Sequence, residues 1–368
     1  MTDEEYMREA IELAERGRGW TAPNPVVGAV IVKDGRIIGR GYHRRCGEAH
    51  AERNALADCR EDPAGATLYV TLEPCCHYGK TPPCTEAILE AGIGRVVIGA
   101  ADPNPLVAGK GIKLLGQQGV RVEAGVLRGL CEEQNRIFFH YIKTGRPYVT
   151  FKYAMTLDGK IATASGASKW ITGEAAREQV QRLRHERRGI MVGVGTVLAD
   201  DPRLNCRLPD GRDPVRIICD TGLRTPPDAG IVRTAGRQTT IIATACGDAG
   251  RQEVYKRAGC ELLVLPRQED GIDLQALMEA LGKRGIDSIL LEGGGTLGAA
   301  ALRAGIVQET YAYIAPKVFG GAGAKTPVEG IGVRTPQEAY RLSDIRVRPV
   351  GEDILITGYM LMPPQTAE

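Results

Sequence analysis

The fold of the first half of this chain is decided by His50-Ala51-Glu52, followed downstream by Pro74-Cys75 and by Cys84. One imidazole and two thiolates can hold Zn²⁺ in a tetrahedral site whose fourth position stays open for water. A nearby carboxylate can then carry the protons of that water, as hydrolytic deamination requires. We therefore predict that the imidazole and both thiols bind zinc and that Glu52 is catalytic.

The surrounding sequence predicts where each of these residues lies in the fold. A strand at residues 67–72 leads to the proline-marked turn before Cys75, and a helix at residues 85–91 follows Cys84. A helix is also predicted to begin at His50-Ala51-Glu52. His50 is expected in the turn that leads into this helix, because two residues apart within a helix the side chains of His50 and Glu52 would point in different directions. A thiol at the start of a helix is biased toward thiolate, which favours metal binding.

A purely structural zinc site is the alternative, because Cys76 or His77 could supply a fourth protein ligand. Glu52, an unligated carboxylate, argues against it. The other cysteines are expected to be small buried apolar residues, as free cysteines commonly are. They are Cys46, Cys59, Cys131, Cys206, Cys219, Cys246 and Cys260.

An insert of eight residues, 76–83, separates the two thiols. Its prolines and glycine predict a shaped loop. His77 and Lys80 would place cationic or hydrogen-bonding groups beside the metal, suited to an anionic group of the substrate, for which phosphate is the natural candidate. A solvated surface charge is an equal alternative for Lys80.

Length and composition exclude several classes of protein. With 368 residues the chain is long enough for two domains that each bury a core. Ten cysteines at irregular spacings and the lack of a signal-like N-terminus predict a cytoplasmic protein. A formal net charge of +2, 5% aromatic residues and the lack of a membrane-length apolar run argue against nucleic-acid and membrane binding.

Hydrophobic patterns predict two domains of alternating strands and helices. In the first, a capping box at residues 2–5 begins a helix that ends near Gly17, and Asp34-Gly35 is a favoured hairpin turn. The remaining predictions there are strands at 26–32, 37–42, 95–100 and 120–124 and a helical segment at 127–143. Because Gly145-Arg146-Pro147 interrupts the pattern, we place the domains at residues 1–145 and 146–368.

In the second domain, strands are predicted at 148–154, 190–194, 215–220, 239–243, 262–265 and 288–291, with helices at 174–188 and 273–283. Two of these strands end in glycine turns, at residues 193–196 and 292–296. Such turns expose backbone N–H groups to a phosphate, although each turn alone is weak evidence. The pattern is not Gly-x-Gly-x-x-Gly, so it does not support an ordinary Rossmann domain.

Taken together, both halves resemble the bifunctional deaminase/reductase family of bacterial riboflavin biosynthesis over essentially the full length of the chain. The resemblance rests on residues 22–30, His50-Ala51-Glu52, Glu73-Pro74-Cys75 through Cys84, 155–160, 195–202 and Glu292-Gly293-Gly294. The long insert between the thiols is itself typical of this family. The resemblance implies an α/β fold with an N-terminal cytidine-deaminase-like domain and a C-terminal dihydrofolate-reductase-like domain.

Two reactions are implied by this resemblance. Zinc-dependent hydrolysis would remove the 2-amino group of 2,5-diamino-6-ribosylamino-4(3H)-pyrimidinone 5′-phosphate, with Glu52 moving the protons. NADPH would then reduce the ribosyl C1′ to give a ribityl chain. Lys152 and Glu292, at the ends of apolar strands, are the ionisable residues that we assign to this second reaction. A salt bridge at the strand ends is the alternative for them.

The family pattern also implies binding residues. Substrate positions are Asn24, His43, His77, Lys80, Asp102 and Asn104 in the first half, and Ser168, Arg184, Leu204, Arg207 and Glu292 in the second. Cofactor positions are Ala154, Trp170, Thr196, Asp200 and the run Gly294, Gly295, Thr296, Leu297, Gly298, Ala299 and Ala300. A simple turn is an equal alternative for residues 102–105. Arg184 and Arg207 suit phosphate clamps, with a solvated helix face as the alternative for Arg184.

Two other functions remain open from the sequence. A nucleobase or tRNA deaminase with an unrelated appended domain would need a basic, aromatic-bearing surface, which the composition does not offer. A non-catalytic protein would use zinc structurally and its second half as a nucleotide sensor. We expect instead a homo-oligomeric enzyme that acts on a small pyrimidine ribose phosphate, without nucleic-acid or membrane partners.

Overall fold

The computed structural model of the chain describes residues 1–78, 82–269 and 271–361. The chain divides into two compact units, Met1–Gly145 and Arg146–Glu368. Each unit has its own central sheet and hydrophobic core. Within the described ranges, the helices are all too short or too polar to cross a membrane.

The first unit is built on a mixed sheet of five strands. Its elements are α1 (Asp3–Glu15), β1 (Gly28–Lys33), β2 (Arg36–Tyr42), α2 (Ala51–Ala57), β3 (Thr67–Leu72), α3 (Cys84–Glu90), β4 (Arg95–Ala100), α4 (Lys110–Gln117), β5 (Arg121–Ala124), α5 (Arg128–Gln134) and α6 (Arg136–Thr144). The strands lie in the order β2-β1-β3-β4-β5. β1 is antiparallel to β2 and β3, whereas β3, β4 and β5 are parallel. The carboxyl ends of β3 and β4 therefore lie at the same edge.

Local sequence signals account for the first elements of this unit. The predicted capping box is present, with the Thr2 hydroxyl accepting from the Glu5 N–H and the Glu5 carboxylate accepting from the Thr2 N–H. Asp34 and Gly35 both have positive φ, 49° and 74°, which is the backbone of a tight hairpin turn. The predictions of α1 and of the β1–β2 hairpin are thus confirmed.

Gly41 on β2 determines how closely α2 packs on the sheet. A Cβ at this position would overlap the backbone of Ala51 and Ala55. Only glycine permits so close an approach of a helix backbone to a strand. Since His50 is the N-cap residue of α2, this packing also positions its imidazole.

Two features of the first unit differ from the prediction. The helical segment at 127–143 is two helices, because the side-chain amide of Asn135 bonds to both the N–H and the C=O of Val26 at 2.9 Å and interrupts the helix. The helix α4 was not predicted. It contains Gly111 and Gly116, poor helix formers, and its N-terminus is stabilised by Glu73, which is distant in sequence.

The second unit is built on a sheet of nine strands. Its elements are β6 (Tyr148–Thr156), α7 (Glu174–Glu186), β7 (Gly189–Gly193), α8 (Val194–Asp200), β8 (Val215–Cys219), α9 (Gly230–Arg233), β9 (Thr240–Thr244), α10 (Ala249–Arg257), β10 (Glu261–Val264), β11 (Arg267–Gln268), β12 (Gly271–Ile272), α11 (Leu274–Gly282), β13 (Ser288–Leu291), α12 (Gly295–Arg303), β14 (Glu309–Ala315), a 3₁₀ turn (Pro336–Glu338), β15 (Leu342–Val350) and β16 (Asp353–Met360). The strand order is β10-β9-β8-β7-β13-β6-β14-β16-β15, and β11 pairs with β12 as a separate hairpin.

Seven neighbouring strands of this sheet, from β10 to β14, are parallel, and β16 is antiparallel to β14 and β15. Strands buried on both faces read as continuous apolar runs, and Ile190, Met191 and Val192 of β7 are all fully buried. The strands predicted up to residue 291 are present within a few residues of their predicted bounds. The sequence predicted no strand after residue 300, where β14, β15 and β16 complete the sheet.

Candidate active sites

The three predicted metal ligands converge beyond the carboxyl end of β3. Nδ1 of His50 lies 3.5 Å from Sγ of Cys75 and 3.4 Å from Sγ of Cys84. All three ligand atoms lie within 4.8 Å of one another. A tetrahedral zinc site with metal–ligand distances of roughly 2.0–2.3 Å has edges of roughly 3.5 Å, so this donor set fits zinc in both chemistry and spacing.

No fourth protein ligand completes this group within the described part of the chain. The cluster that could hold a metal ion includes neither Cys76 nor His77. Nδ1 of His77 is buried without a hydrogen-bond partner, and Lys80 lies outside the described residues. Catalytic zinc sites have three protein ligands, whereas closed structural sites usually have four.

Hydrogen bonds within the cluster favour the ligand form of Cys75. Its sulfur accepts from the backbone N–H of Cys84 at 3.3 Å. The hydrogen bond from the Cys84 thiol, together with that from His50, holds the pKa of Cys75 far below that of an ordinary thiol. The pKa of His50 is raised by the same contact with Cys75. The same hydrogen bond with Cys75 raises the pKa of Cys84, so the pair carries its negative charge on Cys75 and the expected bias of Cys84 toward thiolate is not seen.

Glu52 lies in the first turn of α2 with only 3% of its surface exposed. Burial and the nearby charge of Cys75 raise the pKa of its carboxyl group. A carboxyl group with a raised pKa can both take up and release a proton near neutral pH, which is what a proton carrier must do. It is not part of the group of His50, Cys75 and Cys84 that could hold a metal ion.

Two of the predicted substrate residues lie beside His50. The ring of His43 is 2% exposed and packs edge-on against the His50 ring, with 5.2 Å between centroids. Nδ1 of His43 lies 3.1 Å from the Ala49 carbonyl, which can only accept, so Nδ1 carries the proton. Nε2 then accepts from the side-chain amide of Asn24 at 3.3 Å. Burial lowers the pKa of His43, which keeps this neutral arrangement.

Two further predicted substrate residues, Asp102 and Asn104, lie on the loop after β4. Asp102 Oδ1 accepts from the Asn104 N–H at 2.8 Å, and Asn104 Oδ1 accepts from the Leu106 N–H at 3.0 Å. The turn that was the alternative is thus present. Burial raises the pKa of Asp102 to about 6. Each of these side chains uses one oxygen in the turn and has a second polar atom that could bind substrate. Turn formation and substrate binding are therefore compatible.

The cysteines outside the cluster largely follow the prediction. Cys131, Cys206 and Cys260 are buried, and Cys59, Cys219 and Cys246 are partly buried. Cys46 is exposed, so the prediction was wrong there. It lies in the turn after His43 that leads to α2, where a polar loop rather than the core surrounds it.

A cavity of about 720 Å³ lies in the second unit beside the two glycine turns. Gly193 is the N-cap residue of α8 and Gly294 that of α12, so both turns join a strand end to a helix start. The predicted residues that line the cavity are Ser168, Thr196, Asp200, Gly294, Gly295, Thr296, Leu297 and Ala300. The Ser168 hydroxyl donates to Asp200 at 3.4 Å, which joins a predicted substrate residue to a predicted cofactor residue.

The remaining predicted cofactor residues do not line this cavity. Gly298 packs where a Cβ would meet Phe151, and Ala299 is 8% exposed. Ala154 lies on β6, and Trp170 is 57% exposed with the Arg177 guanidinium 4.8 Å from its ring centroid. Of the run 294–300, Gly298 and Ala299 therefore face the packed interior.

Lys152 and Glu292 are brought together by strand register. Leu291 pairs with Phe151 on the adjacent parallel strand, so the next residues, Glu292 and Lys152, extend side by side from β13 and β6. Both oxygens of Glu292 bond to Arg184, at 2.8 Å to Nε and 3.0 Å to Nη2. This salt bridge joins Glu292 to a residue of α7, so it is not the strand-end pair with Lys152 that was the alternative.

Electrostatics in this cluster favour an ionised Glu292. Burial raises its pKa, but the charges of Arg184 and Lys152 outweigh burial and bring the pKa to about 2. Burial lowers the pKa of Lys152, and the charge of Glu292 only partly opposes this. The Arg184 side chain is 14% exposed and also donates to the Asn205 carbonyl at 3.0 Å, so it does not lie on a solvated helix face. Leu204 is buried, and Arg207 is exposed.

Sequence reasoning missed two carboxylates that fasten loops at these sites. Glu73 accepts four backbone N–H groups of residues 102–112. Asp158 accepts from the N–H groups of Phe319 and Gly320 at 3.1 and 2.7 Å. These bonds join the turn after β6 to the segment 319–329, in which Lys325 and Glu329 line the cavity. Both residues lie in segments that carry the family resemblance, Glu73-Pro74-Cys75 and 155–160, but the sequence assigned neither of them a role.

Two family descriptions match the chain. Residues 147–356 match the family described as "RibD C-terminal domain", and residues 1–100 match the "Cytidine and deoxycytidylate deaminase zinc-binding region". A relative from Actinobacillus pleuropneumoniae, named riboflavin biosynthesis protein RibD, is 54% identical over 99% of this chain and 96% of its own length. The protein of the same name from Escherichia coli is 42% identical over 97% of this chain and 99% of its own.

Solved structures give the same result. Acinetobacter baumannii RibD superposes with a TM-score of 0.86 at 39% identity, covering 98% of this chain and 99% of that one. A diaminohydroxyphosphoribosylaminopyrimidine deaminase/5-amino-6-(5-phosphoribosylamino)uracil reductase from Thermotoga maritima superposes with a TM-score of 0.84 at 36% identity, with the same coverage. The similarity therefore extends over both units.

Proposed function

The chain belongs to the RibD family of bifunctional riboflavin-biosynthesis deaminase/reductases, and on that premise we propose that residues 1–145 form its zinc-dependent deaminase domain and residues 146–368 its NADPH-dependent reductase domain. The α/β fold class and the bifunctional enzyme expected from the sequence are confirmed. The appended-domain deaminase and the nucleotide sensor are not favoured, because the similarity covers both halves of the same enzyme.

In the deaminase domain, His50, Cys75 and Cys84 would hold zinc, which would supply a water of lowered pKa. Glu52 would move two protons from that water, the first to the pyrimidine ring nitrogen and the second to the departing amine. Water thus replaces the 2-amino group and ammonia leaves. The raised pKa of Glu52 supports this role, because the same group must accept and donate.

Substrate binding in this domain is assigned to Asn24, His43, His77, Lys80, Asp102 and Asn104. The neutral His43 is held by Asn24 beside the metal ligands, which suits hydrogen bonding to an uncharged pyrimidine. His77 has a buried nitrogen without a protein partner, and a substrate oxygen would satisfy it. These contacts support the assignment.

In the reductase domain, the cavity beside the two glycine turns would hold NADPH, which supplies a hydride when bound. The backbone N–H groups at the starts of α8 and α12 suit its phosphates, and the cavity has the volume of a cofactor site. Lys152 and Glu292 bind and orient the ribosyl group, with Arg184 holding the Glu292 carboxylate in place. Ser168, Leu204 and Arg207 complete the substrate side.

The observation that carries the proposal is the convergence of His50, Cys75 and Cys84 at zinc-site spacing in a chain whose second unit has its own cavity. Ten free cysteines suit a cytoplasmic enzyme, and we propose that it is a homo-oligomer. The substrate is a small molecule, a pyrimidine ribose phosphate.

Two variants test the assignment to separate domains. With the diaminopyrimidine phosphate and NADPH, the wild-type protein should release ammonia and consume NADPH. Glu52→Gln should release ammonia at least about 10²-fold more slowly than wild type yet oxidise NADPH at the normal rate when given the deaminated intermediate. Lys152→Met should release ammonia normally and oxidise NADPH slowly. If either variant is folded but loses both activities, the assignment of one reaction to each domain is wrong.

A further inference from the structure

Glu73 is a buried carboxylate with an unusual set of partners. It lies between the end of β3 and Cys75 and is 3% exposed. One oxygen, Oε2, accepts from the N–H groups of Asp102 at 3.3 Å and Gly109 at 3.0 Å. The other, Oε1, accepts from Gly111 at 3.0 Å and Ile112 at 3.2 Å. A single side chain thus holds both ends of the segment 102–112, which we name the substrate loop.

The substrate loop is also pressed directly against the metal-binding segment. A Cβ on Gly111 would overlap the carbonyl oxygen of Pro74, the residue before Cys75. The backbone N–H of Glu73 itself donates to the Ala100 carbonyl at 2.9 Å, at the end of β4. The loop and the Cys75 ligand are therefore joined through Glu73 into one rigid connection.

The residues carried by this loop explain why such a connection matters. Asp102 and Asn104, assigned to substrate binding, sit near its start, and their side chains already shape the loop through bonds to its backbone. A displaced loop would present Asp102 and Asn104 to the substrate in the wrong place, which would weaken substrate binding.

We propose that Glu73 is a positioning residue of the deaminase, which fixes the substrate loop relative to the metal ligands and so determines substrate affinity. This inference rests on the proposed deaminase function. A role as metal ligand does not fit, because Glu73 is outside the cluster of metal-binding side chains. A role as proton carrier does not fit either, because both oxygens are occupied by backbone donors.

Glu73→Gln tests the proposal with little change of shape. A carboxamide has one acceptor oxygen, so two of the four N–H groups would face its NH₂ group instead. We expect KM for the diaminopyrimidine phosphate to rise about tenfold or more, with kcat and bound zinc within about threefold of wild type. Reduction of the deaminated intermediate by NADPH should be unchanged, which reports that the rest of the protein is intact.

Glu5→Gln is the matched control. It is the same substitution in the same unit, and Glu5 also accepts a backbone N–H, from Thr2 at 2.7 Å. Glu5 has no contact with the substrate loop, so KM should stay at the wild-type value. A second test combines Glu73→Gln with Asp102→Ala. If Glu73 acts through the loop, the double variant should raise KM by less than the product of the two single effects.

Several results would overturn the proposal. These are an unchanged KM, multiplicative effects in the double variant, or loss of zinc in parallel with kcat, which would mean a merely structural role at Cys75. If Glu73→Gln does not yield folded protein, Glu73→Asp is the second variant, because it keeps the carboxyl group but shortens the side chain. The same rise in KM with zinc retained is then expected. Any other result for this variant counts against the inference. Wild-type protein that binds zinc yet releases no ammonia would instead overturn the proposed function itself.

Discussion

Replacing Glu292 with glutamine should destabilise the reductase unit strongly, because it leaves a buried guanidinium without its partner. The Arg184 and Glu292 side chains are 14% and 12% exposed, and two hydrogen bonds join them. Removing one partner of such a pair costs about 3–5 kcal/mol, since the remaining charge stays desolvated. Lys152, whose charge also favours ionised Glu292, adds to the uncompensated positive charge.

A second line of reasoning gives the same magnitude. The pKa of Glu292 falls from its ordinary value of 4.5 to about 2 in the folded protein. This difference corresponds to about 3 kcal/mol of stabilisation of the folded state. Because the folded pKa is the lower one, the contribution is complete above about pH 4.5 and is lost as the pH falls toward 2. Glu292→Gln should therefore differ from wild type fully at neutral pH and progressively less in acid.

Thermal unfolding is the assay. The transition of the reductase unit can be identified as the one that NADPH shifts upward. For a unit of this size, a loss of about 3 kcal/mol should lower its midpoint by roughly 6–12 °C. Arg184→Met combined with Glu292→Gln should recover part of the loss, because no unpaired charge of the pair remains. A midpoint within about 1 °C of wild type for Glu292→Gln, or additive losses in the double variant, would refute the reasoning.

Three further perturbations address the two reactions separately. Glu52→Gln should keep its zinc, as measured by elemental analysis, while ammonia release falls by about 10²-fold or more; an unchanged rate would contradict the proton-carrier role. Removal of zinc by a chelator should stop ammonia release and leave the oxidation of NADPH by the deaminated intermediate unchanged. If both activities are lost in parallel, zinc supports more than the first unit. Because burial lowers the pKa of Lys152, kcat of the reductase should fall as the pH rises through a value below 10.5. Lys152→Arg should remove this fall in kcat at alkaline pH, since an arginine stays charged there. A wild-type kcat that stays constant up to about pH 10 would show that the reaction needs no ammonium group at this position.

Local patterns in the sequence were sufficient for the elements that carry the zinc ligands. Signals within a few residues placed His50 at the start of a helix, Cys75 after a strand and Cys84 next to a helix start. The structure has these residues at those positions. Such signals work because caps, turns and apolar periodicity act between neighbours along the chain. The spacing of the three ligand atoms then depends only on how these elements meet at one edge.

The sequence could not show the contacts that join distant segments. Asn135 interrupts a helix by bonding to Val26, 109 positions away, and Glu73 reaches residues 29 to 39 positions ahead. Arg184 and Glu292 are 108 positions apart. No local pattern distinguishes a charged helix residue that faces solvent from one that pairs with a buried carboxylate, which is why the solvated face of Arg184 was a fair alternative.

The pairing of Lys152 with Glu292 shows what information was missing. Glu292 follows β13, as the sequence predicts, whereas Lys152 lies within β6 and not at a strand end as predicted. They meet because β6 and β13 are adjacent and parallel, with Phe151 opposite Leu291. A shift of this register by one residue would turn one of the two side chains to the opposite face of the sheet. Strand order and register therefore bring two charged positions that are distant in sequence into the one site that we propose for the reductase, and both depend on packing of the whole nine-stranded sheet.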